Sequence, residues 1–361
     1  MTTDLILSGL VALMLAATGI SFLRVAHGFV RIFSFPRLQF LAIAVVLLAA
    51  IFAFASPAFR PWLAVGALIV IVVQAVCIAQ FTPVRRPQSP RYEGDPDGPN
   101  TISVVSFNVK MSNRDYARAI AMVERADPDI AILMETDAAW ETGVGALRER
   151  WPTVVSRPLD NAYGMILFSK LPLSDVTVQD LVMEDVPSIF ATVRLRNGQE
   201  VRLYCVHPEP PVPHIDSLGR DAELVTVAKR VSQDPLASIV CGDLNDVAWS
   251  NTTRMFQRLS RLLDPRIGRG FYNSFDSRFF FLRWPLDHLF HDAHLQLVEM
   301  ARLPNAGSDH FPMYFKLALV ASTKDAVLPE KADAEDRAEA REITAEAKEL
   351  EREAIGVDWE K

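Results

Sequence analysis

Three runs without a single charged side chain, residues 5–23, 38–55 and 62–81, constrain this 361-residue chain more than any other feature. Each is dominated by Leu, Ala, Val and Ile. At about 1.5 Å per helical residue, each reaches across a hydrocarbon layer of roughly 30 Å. A cleaved signal peptide would open with a basic region, whereas Asp4 is the only charge ahead of the first run. A buried helical core would show amphipathic faces, and none of the three runs has one. The sequence therefore predicts a membrane anchor over residues 1–82 with three transmembrane helices, its partner being the lipid bilayer.

Lys and Arg are retained on the cytoplasmic side when helices insert. Arg24, Arg31 and Arg37 lie in the first connection and Arg85, Arg86 and Arg91 follow the third run, while the second connection holds only Arg60. With three spans both basic clusters fall on one side, so the expected arrangement has the amino terminus outside and the rest of the chain cytoplasmic. Residues 83–100 are rich in Pro, Gly, Arg and Asp and lack apolar periodicity, as expected of a linker leaving a membrane.

The formal net charge is −7, and residues 324–361 alone hold 13 acidic and 7 basic side chains. What precedes them is near neutral, which excludes the global basic footprint that drives non-specific DNA binding. The tail, residues 321–361, reads as a solvated charged helix or a disordered segment. Cys77 falls in a predicted span and Cys205 and Cys241 in strand-like runs, so all three read as free thiols, without the ligand spacing of a zinc site. No protein partner is evident.

Residues 101–320 form the soluble domain. Strand-like runs occur at 102–107, 130–134, 163–168, 189–195, 201–206, 238–241, 286–290 and 313–317. Helical spacing marks Tyr116, Ile120 and Val123, residues 218–231, and residues 252–259 with Ser250 or Asn251 as cap. Helices alternating with many strands predict an α/β (α+β) fold, a four-layer sandwich of two mainly antiparallel sheets flanked by helices.

Polar residues that can hold a metal or move a proton stand at the ends of these runs. Asn108 ends Ser-Phe-Asn-Val, Glu135 ends Ile-Leu-Met-Glu, and His207 ends Leu-Tyr-Cys-Val-His-Pro. Asp243 and Asn245 close Ser-Ile-Val-Cys-Gly-Asp-Leu-Asn; Asp287 lies in Pro-Leu-Asp-His-Leu-Phe, and Asp309 and His310 in Gly-Ser-Asp-His-Phe-Pro. Any one of them has an ordinary explanation as a turn residue or a satisfied core group. Independent turn formation does not explain an oxygen or imidazole group at almost every strand end, and rigid strand ends can converge on one cavity.

This ordered set resembles the endonuclease/exonuclease/phosphatase superfamily of DNase I-like enzymes over residues 101–318. Ser-Phe-Asn-Val, Met-Glu, Gly-Asp-Leu-Asn, Leu-Asp-His and Ser-Asp-His stand in the family's order, and Tyr-Gly-Met-Ile-Leu-Phe-Ser-Lys resembles its Gly-containing strand. The resemblance implies a metal-dependent phosphoester hydrolase, with Mg²⁺ or Mn²⁺ as cofactor. It makes Glu135 the leading metal carboxylate, with Asn108 and Asp309 completing or orienting the site. Asp287 would hold His310 as general base or transition-state donor. Asp243 would position the attacking water, and Asn245 and His207 would bind phosphoryl oxygens.

Arg220 is expected to add a substrate contact, along with Arg266, Arg269 and Arg283. The aromatic stretch 270–284, Gly-Phe-Tyr-Asn-Ser-Phe-Asp-Ser-Arg-Phe-Phe-Phe-Leu-Arg-Trp, is either core packing or an apolar lip for lipid or a base. The expected substrate is a phosphoester, either a membrane lipid or phosphorylated metabolite, or a nucleic acid if the protein is a nuclease. A catalytically inactive membrane scaffold is the remaining alternative. The expected location is integral to a bacterial inner membrane.

Overall fold

The computed structural model describes residues 2–356. Three long helices, α1 (Thr2–Ile20), α3 (Arg37–Phe54) and α4 (Arg60–Ala79), occupy the amino-terminal part, with the single turn α2 (Gly28–Arg31) between the first two. All three are long and apolar enough to cross a membrane. They pack on one another through Leu7, Val11 and Met14, Ala44, Leu47 and Ile51, and Leu63, Ala67 and Val70. Their outer surface stays apolar, with Val46, Phe54, Trp62 and Val76 well exposed.

The remaining elements are β1 (Thr101–Asn108), α5 (Tyr116–Ala126), β2 (Ile130–Met134), α6 (Ala138–Gly143), β3 (Thr153–Arg157) and β4 (Met165–Ser169). They continue with β5 (Leu173–Asp180), β6 (Pro187–Arg194), β7 (Glu200–Cys205), α7 (Leu218–Val231), β8 (Ala237–Asp243) and α8 (Asn251–Ser260). β9 (Asp287–His291), β10 (Leu295–Arg302), β11 (Met313–Leu319) and α9 (Ala334–Glu346) follow. Ser250 is the cap of α8, its hydroxyl accepting from the Thr253 amide at 2.9 Å.

Two sheets result, ordered β10-β11-β1-β2-β4-β3 and β5-β6-β7-β8-β9. Among the strands of the described residues, β1–β2 and β7–β8 pair in parallel and the other neighbours antiparallel. Each parallel pair is a strand–helix–strand unit, because parallel neighbours need a crossover. Side chains alternate along β1 with the strand period of two. Ile102 and Val104 face the second sheet with Ile189, Leu203 and Ile239, while Val105 and Phe107 face Ala119, Val123 and Trp140. Across the second sheet, Tyr204, Val240 and Phe290 meet Leu224, Val227 and Phe256. The order of layers is therefore helix, sheet, sheet, helix, as the alternation of elements predicts.

Two segments differ from their sequence reading. The 83–100 segment lies along β10, with the Tyr92 amide donating to Leu297 O at 2.8 Å and the Leu297 amide to Pro90 O at 2.9 Å. Gln88 is buried and its side-chain oxygen accepts from the Asp264 amide at 2.6 Å. The tail is likewise seated on the domain. Ala340, Ile343 and Ala347 share one helical face and pack on Ala222, Val225 and Met255. Arg258 grips Asp336 through two hydrogen bonds of 2.7 and 2.6 Å. A composition dominated by charge hides so narrow an apolar stripe.

Beyond α9, Arg352 makes paired hydrogen bonds of 2.7 and 3.0 Å to Glu209, which is 1% exposed. Arg352→Met removes those donors from a buried carboxylate. The expected cost is about 1–3 kcal/mol, read as a lower thermal midpoint of the full chain in detergent.

Candidate active site

Strand direction brings the polar strand ends to one place. β1 and β2 run parallel, so Asn108 and Glu135 emerge at the same edge of the first sheet. β7 and β8 do the same for His207 and Asp243. β9 and β11 run antiparallel to their neighbours, so their beginnings reach that edge: Asp287 pairs directly with Asp243, and His310 precedes β11. The position before Asp243, near the end of β8, requires glycine. Gly242 has φ +143°, and a Cβ there would lie 1.9 Å from Val206 O. Lys110, Glu135 and Asn245 all sit at positive φ, a backbone state uncommon for residues with side chains and concentrated at functional sites.

The pocket so formed has a volume of about 340 Å³. Its polar floor comprises Lys110, Glu135, Tyr163, His207, Asp243, Asn245, Asp309 and His310. His310 Nδ1 lies 2.8 Å from Asp287 Oδ2 and Nε2 lies 3.5 Å from Asp243 Oδ2. Burial alone would lower the imidazole pKa, but Asp287, Asp243 and Asp309 outweigh it and raise it to about 10. The proton therefore rests on the ring, although burial also pushes the Asp287 carboxyl upward. His207 is the opposite case. Burial lowers its pKa to about 4, leaving a neutral ring whose Nε2 lies 4.0 Å from Asp243 and whose Nδ1 has no hydrogen-bond partner among the described residues.

Asn108 Nδ2 donates to Glu135 at 2.6 Å and to Asp243 at 3.1 Å, while its oxygen accepts from the Lys110 amide at 3.0 Å. It thereby spaces two carboxylates. Burial raises the Glu135 carboxyl to about 7 against the opposing Asn108 hydrogen bond and His310 charge. Asp309 pairs with Lys110 at 2.8 Å. Asn245 uses one side-chain N–H on Pro208 O at 2.9 Å, and its backbone amide donates to Asp243 at 2.9 Å.

Asp243, Asp287 and His310 lie close enough together to hold a cation. Asp287 is already committed to the His310 ring and is wholly buried, so the three are better described as a relay in which a hydrogen bond joins Asp287 to His310 and an ion pair joins His310 to Asp243. Glu135, Asp243 and Asp309 supply the carboxylates facing the pocket. Three carboxylates against Lys110, Arg278 and one imidazolium, with the half-buried Glu135 raised, form a donor set suited to a divalent cation.

Arg220 is a correction. It is wholly buried, bound to Asp221 through two hydrogen bonds of 2.9 and 2.7 Å, and its third contact is to Asn245 O at 3.1 Å. It braces the loop that carries Asn245 and does not line the pocket. Arg220→Leu leaves Asp221 and Asp246 under-compensated in the interior, with an expected loss of about 3–5 kcal/mol measurable as a fall in thermal stability. Arg266 is consumed by Asp264 and His288, Arg269 by Pro265 O and Ser89 O, and Arg283 by Phe279 O and Ser277 O. Charge in the sequence does not reveal whether a guanidinium is already paired.

Sequence reasoning missed Lys110, Tyr163, Ile32, Phe35 and Ile355, all of which line the pocket. Lys110 follows Asn108 by two residues, and Tyr163 opens the Gly-containing strand. Nothing in the sequence marks the other three.

A two-sheet sandwich with an acidic and imidazole cluster at one sheet edge defines a phosphoesterase-like or nuclease-like protein. The model of the Endonuclease/Exonuclease/phosphatase family matches residues 105–310, more than half of the chain. The chain belongs to that family, whose members are hydrolases. The human Nocturnin catalytic domain with bound sulfate is similar in structure, at 17% identity and TM-score 0.51, covering 65% of this chain and 99% of that one. An endonuclease/exonuclease/phosphatase family protein from Bacteroides thetaiotaomicron matches at 16% identity and TM-score 0.50, covering 62% of this chain and 97% of that one. At such identity the likeness is one of fold. No curated protein sequence matches the chain.

Proposed function

We propose that this protein is a membrane-anchored, divalent-metal-dependent phosphoester hydrolase whose catalytic domain stands on the cytoplasmic side. One observation carries the reading: His310, held by Asp287 and set beside Asp243, shares a pocket with Glu135 and with a neutral His207 whose Nε2 lies 4.0 Å from Asp243. Glu135, with Asp309 and Asn108 beside it, would hold the cation, Mg²⁺ or Mn²⁺. When bound, such an ion polarises a phosphoryl oxygen and offsets charge that develops there.

The chain's own residues supply the rest. Asp287 fixes His310 so that Nδ1 is occupied and Nε2–H points along the side of Asp243, a donor for a phosphoryl or leaving oxygen. Asp243 accepts at its other oxygen from the Asn245 amide, which holds it where it can orient a water. His207 and the second N–H of Asn245 offer hydrogen bonds to the phosphoryl group. Arg220 keeps the Asn245 loop in place from behind.

The test is hydrolysis by the full chain in nanodiscs of bis(4-nitrophenyl) phosphate, DNA, RNA, phosphoinositides and sphingomyelin. Metal-dependent cleavage that stops with EDTA and returns with Mg²⁺ or Mn²⁺ is the expected result. Absence of hydrolysis across the panel would leave the scaffold reading in its place.

A further inference from the structure

The pocket has a second character above its polar floor. Its rim is apolar, made by Ile32, Phe35, Pro210, Pro211, Phe275, Leu286 and Ile355. Ile32, Phe35 and Ile355 lie outside residues 105–310, the part shared with the family. Ile32 and Phe35 belong to the connection between α1 and α3, and Ile355 to the segment after α9.

Both walls are fastened. The α1–α3 connection is stitched beneath the catalytic domain by the Gly28 amide to Ile215 O at 2.9 Å and the Ser217 amide to Ala26 O at 3.0 Å. A buried Arg31–Asp221 pair at 2.8 Å and the Trp249 indole N–H to Ser34 O at 2.7 Å complete it. A Cβ on Gly28 would lie 1.8 Å from Val212 O, so only glycine allows this approach. On the other side the Ile355 amide donates to Glu209 at 2.7 Å, and the Tyr163 hydroxyl donates to Ile355 O. Arg352 anchors the same segment through Glu209 and Asp216. An aromatic series then leads inward: Phe35 to Trp284 at 6.0 Å, Trp284 to Phe275 at 6.2 Å, and Phe275 to His310 at 4.8 Å between ring centres.

The position of this rim matters as much as its composition. α1 ends, α3 begins and α4 ends on the side from which the chain enters the catalytic domain, so the connection carrying Ile32 and Phe35 lies at one face of the helical bundle. Between Phe275 and Trp284 the chain carries Phe279, Phe280 and Phe281 into solvent, Phe280 being 82% exposed. That loop touches the first turn of α3, where Gln39 donates to Phe281 O at 2.8 Å. Aromatic side chains beside the end of an apolar span occupy the bilayer interface.

We infer that the substrate is a lipid phosphoester taken from the bilayer, its apolar chain held by Ile32 and Phe35 on one side and Ile355 on the other, with the phosphate on the polar floor. This rests on the hydrolase reading above and names the substrate class for that site. The connection between two of the tethering helices and the segment after α9 are then parts of its substrate pocket.

A pair of chromogenic diesters tests this without requiring the natural headgroup: 4-nitrophenyl methyl phosphate and 4-nitrophenyl hexadecyl phosphate, the second incorporated in phosphatidylcholine nanodiscs that hold the full chain. The wild type is expected to have kcat/KM at least about tenfold higher for the hexadecyl ester, a modest value for an apolar chain in a fitted wall. Phe35→Ala and Ile355→Asn are expected to lower that ratio about tenfold, mainly through KM, while Phe35→Leu and Ile355→Leu restore it. Equal kcat/KM for the two esters overturns the inference and leaves the hydrolase reading intact, as does a ratio that neither polar nor truncating variant moves. Failure to cleave either ester, together with bis(4-nitrophenyl) phosphate, overturns both.

Discussion

Alanine at position 310 is expected to lower kcat for metal-dependent phosphoester hydrolysis by roughly 10²–10⁴-fold, the range of a positioned acid–base group. His310 is the point at which three carboxylates converge, with Asp287 at 2.8 Å, Asp243 at 3.5 Å and Asp309 adjacent in sequence. Those charges keep its ring protonated and aligned. Asp287→Asn should approach the same loss, because an amide can present its N–H to Nδ1 and invert the ring's proton arrangement. Asp287 is wholly buried, so the asparagine variant also removes an interior charge without emptying space. Retention of folding with loss of turnover is the expected pattern. Near wild-type kcat in both variants would show that the relay is structural.

The second large effect is expected at Glu135. Glu135→Gln preserves shape and the contact with Asn108 but removes the carboxylate whose pKa burial has raised to about 7. If this group holds the cation, several kcal/mol of transition-state stabilisation are at stake, and about 10²–10³-fold in rate is the corresponding loss. The dependence on metal concentration should move to higher concentrations as well. Thermal stability should change little, since removing a half-buried charge is offset by losing the acceptor for the Met111 amide at 3.3 Å. Undiminished metal-dependent hydrolysis by this variant would remove Glu135 from the cation site.

The secondary structure was readable where both faces of an element are buried. β2 occupies Ile130–Met134 and α7 Leu218–Val231, the ranges their apolar patterns predict. β3, β5 and β10 escaped notice, and all three are edge strands. An edge strand such as Leu173–Asp180, Leu-Ser-Asp-Val-Thr-Val-Gln-Asp, has one ladder partner and much solvent contact, so its side chains carry little hydrophobic signal. The aromatic stretch divides for a related reason. Phe271, Phe275 and Trp284 pack with Phe81 and Trp249, whereas Phe279, Phe280 and Phe281 remain outside, and residue type alone does not separate them.

For the candidate site, local sequence was enough to pick out Asn108, Glu135, His207, Asp243, Asn245, Asp287, Asp309 and His310, because each stands beside an apolar run that must become a strand. It was also enough to mark three helices that are long and apolar enough for a membrane, since hydropathy accumulates along contiguous residues. Which strands lie parallel, and hence which ends meet, depends on contacts between residues far apart in sequence. The same holds for Arg220, whose charge is spent inside the domain, and for Ile32, Phe35 and Ile355, which reach the pocket from opposite ends of the chain. Composition and periodicity act over a few neighbouring residues; the walls and the unpaired atoms of a pocket exist only once distant segments have packed.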